Sequence, residues 1–197
     1  MADARSALHG IIRPGAFGRD TADPGVTLAE RRDLALVQVA GFAPGAVGAA
    51  LRDKLGIAVD AQSNRASGQG DVQALWLGPE RWLVVAPAAR RPSAADALAQ
   101  ALTSAQAAII DLDHARTVLR LAGRNARDVL AKGCLLDLHP AAFPAGACAQ
   151  TALFHANALV HAVDALTFDL YVARSYGQAF WESLTDATGE FGCRVAG

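Results

Sequence analysis

Residues 116–130 read RTVLRLAGRNARDVL, and this stretch decides which fold the chain can adopt. Its first part is rich in valine, leucine and threonine, so residues 117–121 are predicted to form a strand. After a glycine, Ala126, Val129 and Leu130 recur at helical spacing and form the apolar face of a short helix. A strand followed at once by a helix is the first step of a β-α-β-β-α-β unit, in which two helices cover one face of a sheet.

The rest of the second half continues this order of elements. A tight turn at Asn157-Ala158 is predicted to join a strand at residues 151–155 to a strand at residues 159–163. Ser175 and Gln178 have the spacing of a helix capping box, and the helix that they open is predicted to end at Gly189. The later strands of this half are predicted at residues 151–155, 159–163, 167–172 and 191–195.

The first half is predicted to repeat the same order. Trp76 and Trp82 flank a turn at Gly78-Pro79-Glu80, which indicates a hairpin with a tryptophan in each arm. The segment 60–71 is rich in serine, asparagine and glycine and is predicted to be a loop. The strands of this half are predicted at residues 34–39, 74–77, 81–85 and 108–112, and its helices at residues 44–55 and 92–102.

The repeated order predicts an α+β fold made of two ferredoxin-like β-α-β-β-α-β units packed together. An extra hairpin strand is predicted in the unit that the second half of the chain forms. Residues 34–197 are predicted to form a single compact body with pseudo-halves 34–113 and 114–197. Residues 1–33 carry scattered charges, prolines and glycines and show no sustained period of either kind. They are therefore predicted to be an extended N-terminal arm.

The composition narrows the classes of function. The chain has 197 residues, of which 52% are hydrophobic and only 19% are charged, and 18 basic residues nearly balance 19 acidic ones. This composition excludes a fully disordered chain and gives no electrostatic footprint for nucleic acid. No apolar run is long enough for a membrane span, so we expect a cytoplasmic protein with no membrane partner. An apolar excess with a net charge of −1 favours association with a partner protein.

Sequence motifs for catalysis are missing. The chain contains no G-x-S-x-G, no phosphate-binding G-x-x-x-x-G-K-[ST] and no H-E-x-x-H. Its three cysteines, Cys134, Cys148 and Cys193, are widely spaced and include no C-x-x-C pair, so we expect buried thiols instead of a disulfide framework or a zinc ribbon. No residue is therefore assigned a catalytic role.

Two small clusters have side chains of the kind that bind metals. Asp111, Asp113 and His114 follow a predicted strand, where they either bind a cation or cap a turn through side-chain hydrogen bonds. His155 and His161 lie near each other across the predicted hairpin. Two histidines without a carboxylate or thiolate fall short of a closed zinc site, so strand histidines with a structural role are favoured.

Aromatic and basic residues offer candidate contacts. Trp76 and Trp82 either stack on a ligand, anchor a protein interface or fill the core. A second group of residues is basic and surrounds the predicted strand and helix at 116–130. These arginines meet either an anionic ligand, such as the glutamate tail of a pterin, or an acidic partner, or they are solvated. They are Arg116, Arg120, Arg124 and Arg127.

Several motifs spread along the chain carry a family resemblance. They read WLGPERWL at 76–83, RTVLRLAGRNARDVL at 116–130, CLLDLHP at 134–140, FPAG at 143–146 and ARS at 173–175, with Thr151 between the last two. In these motifs the chain resembles the gamma subunits of heterotetrameric sarcosine oxidases and, more broadly, the folate-binding aminomethyltransferase superfamily. The resemblance implies the fold of the folate-binding domain of aminomethyltransferases.

The resemblance also implies a function within a complex. Such oxidases demethylate sarcosine to glycine, with formation of hydrogen peroxide and, with tetrahydrofolate, 5,10-methylenetetrahydrofolate. It implies the alpha, beta and delta subunits as partners, mainly alpha. FAD, FMN, NAD, tetrahydrofolate and zinc are expected on those other subunits, and this chain is expected to hold no cofactor and no metal. Residues expected at the interface are Trp76, Trp82, Arg116 and Arg174.

One departure from the superfamily concerns catalysis. Where folate-dependent aminomethyltransferases have a glycine-rich turn followed by paired acids, this chain reads NALVH at 157–161 and has no carboxylate. The departure favours a non-catalytic subunit. The alternatives are an independent folate-binding aminomethyltransferase and an accessory subunit of a related secondary-amine oxidase.

Overall fold

The structure is a computed structural model that describes residues 5–19, 22–59, 62–102 and 107–196. It consists of two β-sheets with helices. The predicted α+β class is confirmed. The chain divides into two compact units, of which the first comprises residues 1–32, 116–145 and 150–197 and the second residues 33–115 and 146–149. Among the described residues, no helix is long and apolar enough to cross a membrane.

The elements follow one another in a mixed order along the described part of the chain. The strands are β1 Gly15–Phe17, β2 Val26–Glu30, β3 Leu34–Gly41, β4 Ala66–Gln69, β5 Val72–Gly78, β6 Arg81–Pro87, β7 Ala107–Asp111, β8 Arg116–Ala122, β9 Cys148–Leu153, β10 Ala156–Ala162, β11 Thr167–Ala173 and β12 Cys193–Val195. The helices are α1 Ala46–Leu55, α2 Arg91–Leu102, α3 Ala126–Ala131 and α4 Gly177–Thr188, with short 3₁₀ turns at Ala88–Arg90 and Arg174–Tyr176.

The second unit contains an antiparallel sheet of five strands in the order β4-β5-β6-β3-β7. Without β4, this is the strand order of a ferredoxin-like unit, as the sequence predicts. Helices α1 and α2 bury their apolar stripes on one face of the sheet. This core is formed by Val37, Val39, Val47, Ala50, Leu51, Ile57, Ala74, Trp82, Val84, Leu98 and Leu102.

Strand β4 corrects the predicted loop at 60–71, of which residues 60–61 lie outside the described part. Its serine and glycine belong to a tight hairpin with β5. Gly68 has φ +118°, and a Cβ there would lie 2.5 Å from the Val72 carbonyl oxygen, so only glycine fits this close approach. The same residue types that favour a loop here allow two strands to pair.

The first unit contains a sheet of seven strands in the order β1-β12-β2-β8-β11-β10-β9. Strands β1 and β2 come from residues 1–33, for which the sequence predicts an extended N-terminal arm. Strand β2 runs parallel to β12 and antiparallel to β8, and its Leu28 lies opposite Leu121. Val26 and Leu28 are 1% and 0% exposed. This strand of five residues gains its stability from neighbours far away in sequence, which its own pattern does not reveal.

The turn between β9 and β10 lies at Phe154-His155, not at the predicted Asn157-Ala158. Both turn residues have positive φ angles, +46° and +64°, as a two-residue hairpin turn of type I′ requires. Phe154 packs edge to face on Phe180 with 6.1 Å between ring centroids, and its N–H donates to the Gly133 carbonyl oxygen. Tertiary packing of the phenylalanine therefore places the turn.

The predicted capping box at the start of α4 is also wrong. Ser175 lies in the 3₁₀ turn, Tyr176 is the residue that precedes the helix, and no side chain caps it. Gln178 donates instead to Glu182 one turn later, at 3.0 Å. The helix ends before Gly189, as predicted.

Candidate functional site

The predicted tryptophan hairpin borders a surface pocket in the second unit. Trp76 on β5 and Trp82 on β6 lie directly opposite each other, on the sheet face that the helices cover. Trp82 is 6% exposed and belongs to the core, and the partly buried Trp76 packs against that core. The pocket has a volume of about 430 Å³ and is lined by Gly45, Gly48, Ala49, Arg52, Val59, Ser63, Trp76, Pro79, Glu80 and Trp82.

Glu80 ties the hairpin turn to the first helix. Its Oε1 accepts a hydrogen bond from the N–H of Gly45, which precedes α1, at 2.9 Å, and its backbone oxygen accepts one from the N–H of Gly41. A carboxylate at a helix N-terminus interacts favourably with the helix dipole. Its Oε2 is buried and has no hydrogen-bond partner among the described residues. The acidic residue of the W-L-G-P-E motif thus holds one wall of the pocket in place.

A charged row crosses three adjacent strands of the first unit. Arg120 on β8 lies opposite Asp169 on β11, which lies opposite His161 on β10. Arg120 donates through Nε and Nη2 to the two Asp169 carboxylate oxygens at 2.7 Å each, and Arg31 Nη1 lies 3.6 Å from Oδ2. Arg120 therefore holds Asp169 in a bidentate geometry of the strong kind, and Arg31 adds a longer ion pair.

His161 is a neutral member of this row. It is 2% exposed, and its Nδ1 has no hydrogen-bond partner among the described residues. Burial lowers the pKa of His161 to about 4, which the charge of Arg120 assists and the charge of Asp169 opposes. The row therefore combines two cations, one carboxylate and an uncharged imidazole at neutral pH.

The structure groups the predicted interface residues in pairs. Trp76 and Trp82 meet in the second unit, as described above. In the first unit, Arg116 lies opposite Ala173, the last residue of β11, and Arg174 follows directly in the 3₁₀ turn. Arg174 donates through Nη2 to the Arg5 carbonyl oxygen, which fastens the N-terminal segment. The interface role of all four residues stays a prediction.

The arginines predicted around residues 116–130 do not form one anionic-ligand site. Arg120 pairs with Asp169, whereas the exposed Arg124 pairs with Asp23. Arg127 donates to the carbonyl oxygens of Leu138 and Phe143, and its guanidinium lies 4.9 Å from the centre of the Phe168 ring. The side chains of Arg120, Arg124 and Arg127 thus each have their own structural partner.

The side chains of the two candidate metal clusters have structural roles or lie apart. Asp113 accepts a hydrogen bond from the N–H of Leu36 in β3, and Asp111 accepts one from the N–H of Asp113, so one carboxylate binds strand backbone and the other caps a turn. His155 is exposed in a turn, whereas His161 is buried on β10. In the described ranges, no group of three or more histidine, cysteine, aspartate or glutamate residues could hold a metal ion.

The cysteines are free thiols with little nucleophilic character. Burial raises the pKa of Cys134, Cys148 and Cys193, in the case of Cys148 to about 12. Because the thiolate is the reactive form of cysteine, these residues are poor nucleophiles at neutral pH.

Sequence reasoning missed Asp169 and the capping role of Glu80. Asp169 stands in the middle of an apolar strand, 167–172, and Arg120 stands in the middle of another. Opposite charges inside two neighbouring apolar strands are a signal for a cross-strand pair. The signal becomes usable only when the register of the two strands is known.

Comparisons with known proteins point in one direction. Residues 39–190 match the model of the "Sarcosine oxidase, gamma subunit family". A sarcosine oxidase subunit gamma from Corynebacterium sp. strain P-1 is 32% identical over 164 residues, which cover 81% of this chain and 80% of the relative. Another, from Arthrobacter sp., is 37% identical over 126 residues, and this match spans 62% of this chain and 61% of the relative.

Solved structures agree with the sequence comparisons. A chain of the heterotetrameric sarcosine oxidase from Corynebacterium sp. U-96, solved in complex with pyrrole 2-carboxylate, superposes with a TM-score of 0.79 and 29% identity over 84% of this chain and 85% of that chain. The glycine cleavage system aminomethyltransferase T from Bartonella henselae superposes with a TM-score of 0.66 and 20% identity over 88% of this chain and 48% of that chain. This second likeness shows the fold alone and agrees with the predicted aminomethyltransferase-like fold.

Proposed function

Because the chain belongs to the sarcosine oxidase gamma subunit family, we propose that it is a non-catalytic subunit of a heterotetrameric sarcosine oxidase. The observation that carries the proposal is the likeness to a chain of a heterotetrameric sarcosine oxidase, which extends over most of both chains. The subunit fold therefore accounts for most of this chain.

The proposed complex oxidises sarcosine to glycine, with formation of hydrogen peroxide and, with tetrahydrofolate, 5,10-methylenetetrahydrofolate. In this proposal FAD, FMN, NAD, tetrahydrofolate and zinc are bound by the alpha, beta and delta subunits. This chain contributes packing surface to those subunits, mainly to alpha.

The ionisable groups inside the first unit support a role without acid-base catalysis. Asp169 is locked between Arg31 and Arg120, so its carboxylate is engaged in ion pairs instead of being available to accept a substrate proton. His161 has a pKa lowered to about 4 and is 2% exposed, so a substrate does not reach it. Burial raises the pKa of the Cys134 and Cys193 thiols, so they stay protonated at neutral pH.

We further propose that the alpha subunit covers the tryptophan hairpin and the N-terminal segment, and that Arg116 and Arg174 border this contact. An exposed aromatic residue beside the hairpin supports the first part. Phe42 is 81% exposed and directly follows Gly41, whose N–H donates to the Glu80 carbonyl oxygen at the hairpin turn. Exposed aromatic residues are frequent anchors of protein interfaces.

Co-expression tests the proposed function. The chain is produced together with its cognate alpha, beta and delta subunits, and the complex is isolated through a tag on alpha and analysed by size exclusion. We expect all four chains in one peak. A full complex of the other three subunits, with this chain eluting alone, would contradict the proposal.

Titration of the isolated chain with tetrahydrofolate tests the alternative of an independent folate-binding aminomethyltransferase. Micromolar binding that is lost in Arg116→Ala would support that alternative. Absence of binding is the result expected for the proposed subunit.

Two matched variants locate the interface. Phe42→Asp is expected to weaken capture by alpha, because it places a charge where an aromatic anchor is expected. Leu135→Asp is the control, since Leu135 is 83% exposed and belongs neither to the tryptophan hairpin nor to the N-terminal segment. Loss of capture in Leu135→Asp alone would move the interface away from the hairpin. Hydrogen exchange with and without alpha is expected to show protection of 72–87 and of the N-terminal segment.

A further inference from the structure

The pocket beside the tryptophan hairpin has the composition of a ligand site, and we propose that it binds a carboxylate carried on a flat apolar group. Its volume of about 430 Å³ falls within the range of about 300–1,000 Å³ found for small-molecule sites. Trp76 and Trp82 line one side, and the first turns of α1 line the other. This inference does not depend on the proposed function.

The exposed charged group in the lining of this pocket is the guanidinium of Arg52, because the Glu80 carboxylate is engaged with the N–H of Gly45 and has one oxygen buried. Arg52 is exposed on α1, lines the pocket and has no polar side-chain partner among the described residues. The other charged lining residue, Glu80, already accepts the N–H of Gly45, and its second oxygen is buried from solvent. A guanidinium group binds a carboxylate through two parallel hydrogen bonds. Ser63 adds a hydroxyl group to the same lining.

The shape of the pocket favours a flat apolar body. The partly buried indole ring of Trp76 provides aromatic surface, which pairs with flat groups in stacked or edge-to-face geometry, and Trp82, which is 6% exposed, supports it from the core. On the α1 side the lining includes Gly48, which has no side chain, and a Cβ there would lie 3.0 Å from Val59 Cγ2. Glycine at this position allows the Val59 side chain to pack close to α1, so this wall of the pocket is apolar.

Three probes of one shape and different charge test the proposal on the full chain. Benzoate, benzamide and benzylamine are titrated in turn while the indole N–H signals are followed by NMR. We expect benzoate to bind about 10- to 100-fold more tightly than benzamide, because of the charge-assisted contact with Arg52. The signals of Trp76 and Trp82 are expected to shift, and that of Trp181 in α4 serves as the internal reference.

Two matched variants identify the group that recognises the charge. Arg52→Ala is expected to reduce benzoate affinity about tenfold or more. Lys54→Ala is the control and is expected to leave benzoate affinity unchanged. It removes an equal charge from an exposed position of the same helix that does not line the pocket. Preferential binding of benzylamine, equal binding of benzoate and benzamide, absence of binding, or equal losses in both variants would each overturn the proposal.

The same titration on the assembled oxidase separates two sources of the ligand, and this arm alone rests on the proposed function. If benzoate still binds with its affinity for the isolated chain, the natural ligand is a free small carboxylate. If assembly blocks benzoate, and Arg52→Ala but not Lys54→Ala weakens assembly, the carboxylate is supplied by the partner subunit. Blocked binding with no effect of Arg52→Ala on assembly would overturn the proposal for the complex.

Discussion

Protonation of His161 is expected to destabilise the protein in mild acid. The imidazole is 2% exposed, and burial lowers its pKa from 6.5 to about 4. In the unfolded chain the imidazole regains its ordinary pKa near 6.5, so the unfolded state binds a proton more readily. The contribution of neutral His161 is therefore complete above about pH 6.5 and is lost as the pH falls towards 4.

The pKa difference fixes the size of the effect. The free energy of unfolding is expected to fall, through this one group, by about 2 kcal/mol between pH 7 and pH 5 and by about 3 kcal/mol at pH 4. Below pH 4 both states hold the proton, and the loss from His161 levels off. Asp169 faces the imidazole from the neighbouring strand β11, and its charge raises the pKa of His161. Arg120 lies one strand further, on β8, and its charge lowers that pKa.

Urea unfolding, followed by circular dichroism between about pH 4 and pH 7, measures the effect. His161→Gln is expected to flatten the fall in unfolding free energy, because it removes the group that titrates. His155→Gln is the matched control, since His155 is exposed in a turn. If wild type and His161→Gln lose the same free energy over this range, the assignment of the acid sensitivity to His161 is refuted.

Three further substitutions test individual contacts. Asp169→Asn is expected to lower the free energy of unfolding by about 2 kcal/mol, less than the ~3–5 kcal/mol for breaking a fully buried pair, because the Arg120 side chain is 34% exposed. Glu80→Ala is expected to cost about 1 kcal/mol through loss of the cap on α1. Gly133→Ala is expected to cost about 1–3 kcal/mol, because its Cβ would lie 2.3 Å from Phe154 Cδ1. Urea denaturation midpoints measure all three.

Controls accompany these substitutions. Asp23→Asn breaks an ion pair in which both side chains are mostly exposed, at 56% and 82%, and is expected to change stability by less than about 0.5 kcal/mol. A loss as large as that of Asp169→Asn would contradict the distinction between the pairs. Glu80→Gln retains an acceptor and is expected to retain most of the cap. Unchanged stability of Gly133→Ala would show that the Phe154 ring moves aside at no cost.

Much of the fold was accessible from local sequence patterns. The apolar positions of α1 and the glycine that ends it are correctly predicted, because helical spacing and a left-handed C-terminal glycine are properties of a few adjacent residues. The tryptophan hairpin is correctly placed for the same reason. The family motifs are equally local, and the comparisons confirm the family that they indicate.

The candidate site was accessible only in part. The sequence singled out Trp76 and Trp82, and the structure shows both of them in the lining of one pocket. It gave no sign that Arg52 lies on the same pocket or that Glu80 caps α1. These contacts join a helix to a hairpin across about 30 residues of chain, and a pattern read along the chain contains no information about that distance.

The amino-acid sequence alone determined the α+β class, most strands and helices and the family, since these depend on periodicity, turn residues and short motifs. The tertiary structure decided the place of Val26–Glu30 inside the seven-stranded sheet and the turn at Phe154-His155. It also decided that Asp169 is paired with Arg120. Each of these outcomes depends on which distant segments pair, because a short strand or a strained turn is stable only when long-range contacts offset its local cost.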